Sequence, residues 1–146
     1  MKTLKEIKKK VKWDYPTSKQ HDEIAMQLNM LMKHPKAETL PHDIKDGLEK
    51  LKHVDTYAKA IKDGKIKKIK PSKCHKIDNH THDPGSFPHL DKEKQKHVLD
   101  KFEKGHVQMP ILLKTKDKRL WLIAHNTTLT YNSQVRKKKT PCLIIK

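Results

Sequence analysis

One passage near the C-terminus constrains this chain more than any other: Arg119 to Val135, RLWLIAHNTTLTYNSQV. It begins as an apolar run suited to a buried strand and passes, without a loop, into polar residues at helical spacing. A strand that hands over to a helix at His125-Asn126-Thr127-Thr128 leaves the first backbone N–H groups of that helix without partners. Those donors lie at the positive end of the helix dipole and form an anion site suited to phosphate. Asn126, Thr127 and Thr128 add side-chain donors at the cap and first turn. Plain helix capping is the competing explanation, since Asn and Thr favour such positions with or without a ligand.

The surrounding pattern predicts an α+β (mixed α/β) chain. Asp91 caps a helix through Lys101 that buries Leu90, Val98 and Phe102 and ends at Gly105. VQMPILLK and RLWLIA follow as apolar runs separated by the turn TKDK, and PCLIIK closes the chain as a last strand. Further upstream the reading is helical. Residues 2–13 place Leu4, Ile7 and Val11 on one stripe, ended by Pro16. Thr17 or Ser18 caps a second helix with Ile24, Leu28 and Leu31 on one face, and Met26, Met30 and Met32 as soft packing. His42 to Lys62 is helical again, restarting near Asp55 after a bend, with Gly64 as its C-terminal cap. Lys65 to Pro71 reads as a short edge strand, and residues 71–88 as a long polar loop. The expected division is a helical N-terminal extension over 1–40 and a domain over 41–146.

Composition then narrows the partner. With 34% apolar and 35% charged residues, the core must be thin relative to the surface. The formal net charge is +17, and every basic residue except Arg119 and Arg136 is lysine. Such a surplus favours a polyanion, because each phosphate neutralised releases condensed counterions. Lysine is a point charge without arginine's fork, so it suits backbone contacts better than base reading. Cys74 and Cys142 are isolated, which fits a reducing compartment. No signal-peptide core and no apolar run of the ~20 residues needed to span a bilayer is present, so a cytoplasmic protein without a membrane partner is expected.

The order of helix, Gly105, Pro110-Ile111-Leu112-Leu113, hairpin, Leu120–Ala124, Asn126-Thr127, Leu129, helix and Pro141–Ile145 resembles the ParB/sulfiredoxin-like family, the ParB-like nuclease domains. The likeness covers residues 88 to 146 and is nearest to short phage-type members whose turn reads G-N-T-R-L. It implies a small sheet with packed helices, a phosphate-binding turn at 126–128, and divalent-metal nuclease activity with magnesium or manganese. Two residues depart from the family turn: His125 stands where the family has glycine, and Thr128 where it has arginine. Glycine admits a phosphate close to the backbone and arginine holds it with a charged fork, so both changes bear on activity. His125 remains the candidate for acid or base work, on the strength of imidazole's near-neutral pKa.

The loop CHKIDNHTHD supplies a second constellation, with Cys74, His80 and His82 as candidate metal ligands. Thiolate and imidazole suit zinc, although the spacing fits no standard finger and a solvated polar loop explains it equally. His21-Asp22, His42-Asp43 and His82-Asp83 lack the mid-helix setting of a phosphohydrolase pair. The expectation is therefore nucleic-acid backbone binding through the 126–128 turn, Lys65, Lys67, Lys68, Lys70, Arg136, Lys137, Lys138 and Lys139, with metal-dependent cleavage carried by His125. The alternatives are a nucleotide-dependent phosphotransferase or phosphohydrolase acting on a small molecule, and a catalytically dead adaptor. A continuous basic groove discriminates for the first, and a closed pocket at 125–128 for the second.

Overall fold

The structure, a computed structural model, describes residues 10–33, 42–70, 73, 75–76 and 92–146. Its class is α+β. In chain order the elements are β1 (Lys12–Asp14), a 3-10 turn (Ser18–Gln20), α1 (His21–Lys33), α2 (His42–Leu51), α3 (Val54–Asp63), β2 (Lys65–Ile69), β3 (His75–Lys76), α4 (Lys92–Lys104), β4 (His106–Gln108), β5 (Ile111–Lys114), β6 (Leu120–Ala124), α5 (Asn126–Gln134) and β7 (Thr140–Ile145). Five strands form one mixed sheet in the order β2-β7-β5-β6-β3, and β1 pairs with β4 in a separate ribbon. The β5–β6 hairpin and the β2–β7 pair are antiparallel, whereas β5–β7 and β3–β6 are parallel.

Alternation along the strands divides the core between two faces of the sheet. Ile111, Leu113, Trp121, Ile123, Leu143 and Ile145 face one side, where Ile24 and Leu28 of α1, Ile44 and Leu48 of α2, and Tyr57 and Ile61 of α3 cover them. Leu112, Leu122 and Cys142 face the other side with Leu129 of α5, and Ile69, Leu120 and Ile144 at its margin are only partly buried. A third cluster holds α4 to α5 and the ribbon through Val98, Phe102, Val107 and Tyr131. There the Phe102 ring lies 4.8 Å from Tyr131 and edge-on to Trp13 at 5.9 Å.

The N-terminal helix expected over 2–13 does not extend to its last residues, because Lys12–Asp14 is a strand parallel to β4. Val11 and Trp13, two apart, pack on the α4–β4 cluster, and the backbone closes with Lys12 N–H on Gly105 O at 2.7 Å and Met109 N–H on Asp14 O at 3.1 Å. Leu4 and Ile7 lie outside the described residues, as do Leu90, Asp91 and most of 71–88. Within that expected loop, His75 and Lys76 pair with Trp121 and Leu122. Thr17 opens the α1 unit as anticipated: its N–H donates to Gln20 Oε1 at 3.2 Å and its carbonyl accepts from Gln20 N–H. Met26, expected to pack, is 66% exposed on the far side of α1. The bend in 42–62 falls at Lys52-His53, and α3 starts from His53, not Asp55.

Gly64 caps α3, but not for the reason a C-terminal glycine usually does. Its φ is −67°, an ordinary value for any residue. The requirement is space, since a Cβ here would sit 2.6 Å from Leu143 Cδ1 and 3.2 Å from Ile144 O. Lack of a side chain thus lets α3 turn directly into the edge strand against β7. Gly64→Ala is expected to destabilise the fold by about 1–3 kcal/mol through overpacking. The check is urea unfolding, with a lower midpoint and an unchanged slope.

Candidate nucleic-acid interface

β6 runs into α5 through one residue, His125, whose φ of 66° and ψ of 43° are left-handed. For a residue with a Cβ this costs roughly 1–2 kcal/mol, which glycine avoids. The side chain is mostly enclosed, and the ring's pKa is lowered from 6.5 to about 4, chiefly by burial and secondarily by the Lys101 cation. At neutral pH the imidazole is therefore uncharged and weakly basic. The near-neutral titration expected from the sequence is absent, and with it the proton that a general acid would donate.

Of the turn residues, Thr127 is half-buried and Thr128 is only 6% exposed, followed inward by Thr130, Tyr131 and Asn132. Thr128 thus stands in the packed interior, where an arginine would not fit without displacing neighbours. Arg136 is also an interior residue. It is 6% exposed, its Nη1 donates to Asn132 Oδ1 at 2.9 Å, and its guanidinium lies 4.9 Å over the Phe102 ring. Asn132 also donates to Lys139 O and to Thr140 Oγ1, and its carbonyl accepts from Lys138 N–H. This clasp holds the segment before β7 so that Lys137, Lys138 and Lys139 are exposed. The register places them at the end of the sheet where β6 finishes, the end that carries the turn.

The Lys65–Lys70 cations do not act as one patch. Lys65 and Lys67 pair with Ile144 and Cys142, so they stand on the more open face of the sheet, whereas Lys68 projects from the opposite face. Lys70, exposed beyond Ile69, lies at the turn end. Lys65 and Lys67 open instead onto a cleft of about 1040 Å³ on the more open face, which runs from the β5–β6 hairpin and Lys146 along β2 to Ile69. Eight of its fourteen lining residues are Lys or Arg, and Asp63 is its one carboxylate. Ile69, Leu120 and Ile144 form its apolar floor. Its one β6 residue, Leu120, is a strand length of about 13 Å from Ala124, and residues 125–128 are not in its lining.

Reading single elements missed most of these cations. Lys59, Lys73, Lys114, Lys118, Arg119 and Lys146 come from separate segments that only the sheet order assembles. The hairpin offered a local signal in TKDKR. Thr115 N–H donates to Arg119 O at 3.0 Å, Lys118 N–H to Thr115 O at 2.9 Å, and Lys118 takes the left-handed position at φ 68°. Asp117 anchors the loop. It accepts from Thr115 and Arg119, and the Thr115 hydroxyl foremost, with Arg119, holds its carboxyl down to about 2.

Cys74, His80 and His82 lie outside the described residues. Among the described residues no group of three or more His, Cys, Asp or Glu is placed to hold a metal ion. Cys142 is a buried free thiol in contact with Thr140 O at 3.3 Å. Among the described residues no helix is long and apolar enough to cross a membrane. No family, curated protein or solved structure matches the chain.

His125 makes the fold acid-sensitive in a defined window. Its folded pKa of about 4 lies below its ordinary 6.5, so between these values the unfolded chain binds a proton that the fold does not. Stability from this group is complete above 6.5 and is lost as the pH falls towards 4. His125→Gly removes this dependence. The stability of the glycine variant relative to the parent is expected to rise by about 2 kcal/mol between pH 7 and pH 5, read from paired urea titrations.

Proposed function

We propose that this chain binds the sugar–phosphate backbone of nucleic acid, with an affinity set by charge rather than base sequence. The observation that carries this reading is the hairpin-end cleft, whose lining holds eight Lys or Arg side chains and one acidic side chain, with Arg119 paired to Asp117 beside it. A net charge of +17 over 146 residues adds long-range attraction for any polyanion. Lys137–Lys139 form a second exposed basic segment at the turn end.

Binding without cleavage is the form of the proposal the chemistry favours. His125 is deprotonated at neutral pH, Thr128 is interior, and the arginine of the ParB-like turn has no counterpart there. A small-molecule phosphotransferase would want its cations gathered into a pocket at 125–128, whereas the basic cleft lies at the far end of β6.

The test is a gel of supercoiled plasmid incubated with the protein in magnesium, manganese or EDTA, run with and without deproteinisation. A retarded band that disappears on deproteinisation, with plasmid topology unchanged in every buffer, is the expected result. With six or more phosphate contacts, affinity should fall about 10³-fold or more between 50 and 200 mM salt. Nicked or linear DNA that survives deproteinisation and depends on metal would establish a nuclease instead. Plasmid neither cut nor shifted at low salt, together with no shift of an unpaired oligonucleotide, would remove nucleic acid from the reading.

A further inference from the structure

Building on that reading, on which it rests, we propose that the hairpin-end cleft takes a single strand of nucleic acid and not a duplex. Its size is the first ground. About 1040 Å³ is at the upper end of enclosed ligand sites, roughly 300–1,000 Å³. The major groove of B-DNA alone is about 12 Å wide, so the duplex is broader than such a cleft, while a few nucleotides of unpaired chain fit inside it.

The distribution of polarity is the second ground. Cations line both sides of the cleft, Lys65 and Lys67 about 7 Å apart along β2 and Lys114 and Lys118 on the hairpin, with Ile144 of β7 between these strands and Ile69 and Leu120 flanking it. That floor is the uncovered margin of the apolar cluster shared with α5. A duplex hides the flat faces of its bases and presents chiefly phosphates, sugars and base edges, which cover apolar surface poorly. An unpaired strand offers phosphates to the walls and sugar and base faces to the floor. Lys118 strengthens the case, because the hairpin places a long cation at a left-handed position where glycine is easier.

The lining also indicates how little of the base is read. It contains no Asn, Gln or aromatic side chain among the described residues. Arg119, its single fork, is bonded to Asp117 and lies 5.4 Å from the Trp121 ring. Neither bidentate pairing with base edges nor a stacking platform is provided, so the strand is held by its backbone without sequence preference.

The test is fluorescence anisotropy on the full chain at low salt. The probes are a labelled oligothymidylate of about 12 nucleotides, a mixed-sequence strand of equal length and its duplex, with inorganic polyphosphate as competitor. Both strands are expected to bind alike and at least about tenfold more tightly than the duplex. Lys65→Glu with Lys67→Glu should weaken strand binding and lower the slope of log affinity against log salt by about 1.4. Lys92→Glu with Lys96→Glu on α4, the same change in net charge away from the cleft, should leave the slope unaltered. Far-UV circular dichroism checks that both variants remain folded. Duplex bound as tightly as strand would overturn the single-strand assignment while leaving backbone binding intact. An equal loss in the α4 variant would overturn the cleft as the site. Polyphosphate binding without any oligonucleotide binding would overturn this inference and the proposed function together.

Discussion

The structure depends on the burial of β5 on both faces and along both edges. Ile111, Leu112 and Leu113 alternate between the two apolar clusters, while β6 and β7 take their hydrogen bonds. In a chain with as many charged as apolar residues, little else can organise a core. Three helices from the N-terminal half cover one face, and α5 covers part of the other. The less covered face carries the cleft, whose cations come from α3, β2, Lys73, the β5–β6 hairpin and Lys146.

Strong local signals in the sequence located most elements. The MPILLK and RLWLIA runs, the edge strand after Gly64, the Thr17 cap and the strand-to-helix handover at His125 all appear where propensity and spacing place them. The failures share a cause. Lys12–Asp14 carries a helical stripe on its N-terminal side, yet pairing with β4 and the niche for Trp13 decide its state. Tertiary contacts overrode local periodicity there. Gly64 was placed at the right helix end, but its role is a close approach to Leu143 that no local pattern reveals.

The candidate site was less legible than the fold, for a topological reason. A run such as KIKKIK looks like one basic patch, but strand alternation sends Lys67 and Lys68 to opposite faces. Conversely, Lys65, Lys114, Lys118 and Lys146 are far apart in the chain and gather only because β2, β7, β5 and β6 are neighbours. Arg136 misled in another way. The more versatile of the two basic side chains went into the interior, where its planar group packs on Phe102 and satisfies Asn132. What the surface keeps is lysine, with Arg119 the exception.

Among the described residues β2 is the outermost strand on its side of the sheet, and all of its residues but Ile69 are exposed. A bare edge of that kind is a template for pairing with another chain, and lysine is a common guard against it. The three lysines of β2 therefore serve solubility as well as any ligand. Replacing them with apolar residues would favour self-association, with Ile66, already 52% exposed, at the centre of the sticky edge. The charge on this rim is in this sense also what keeps the edge from pairing.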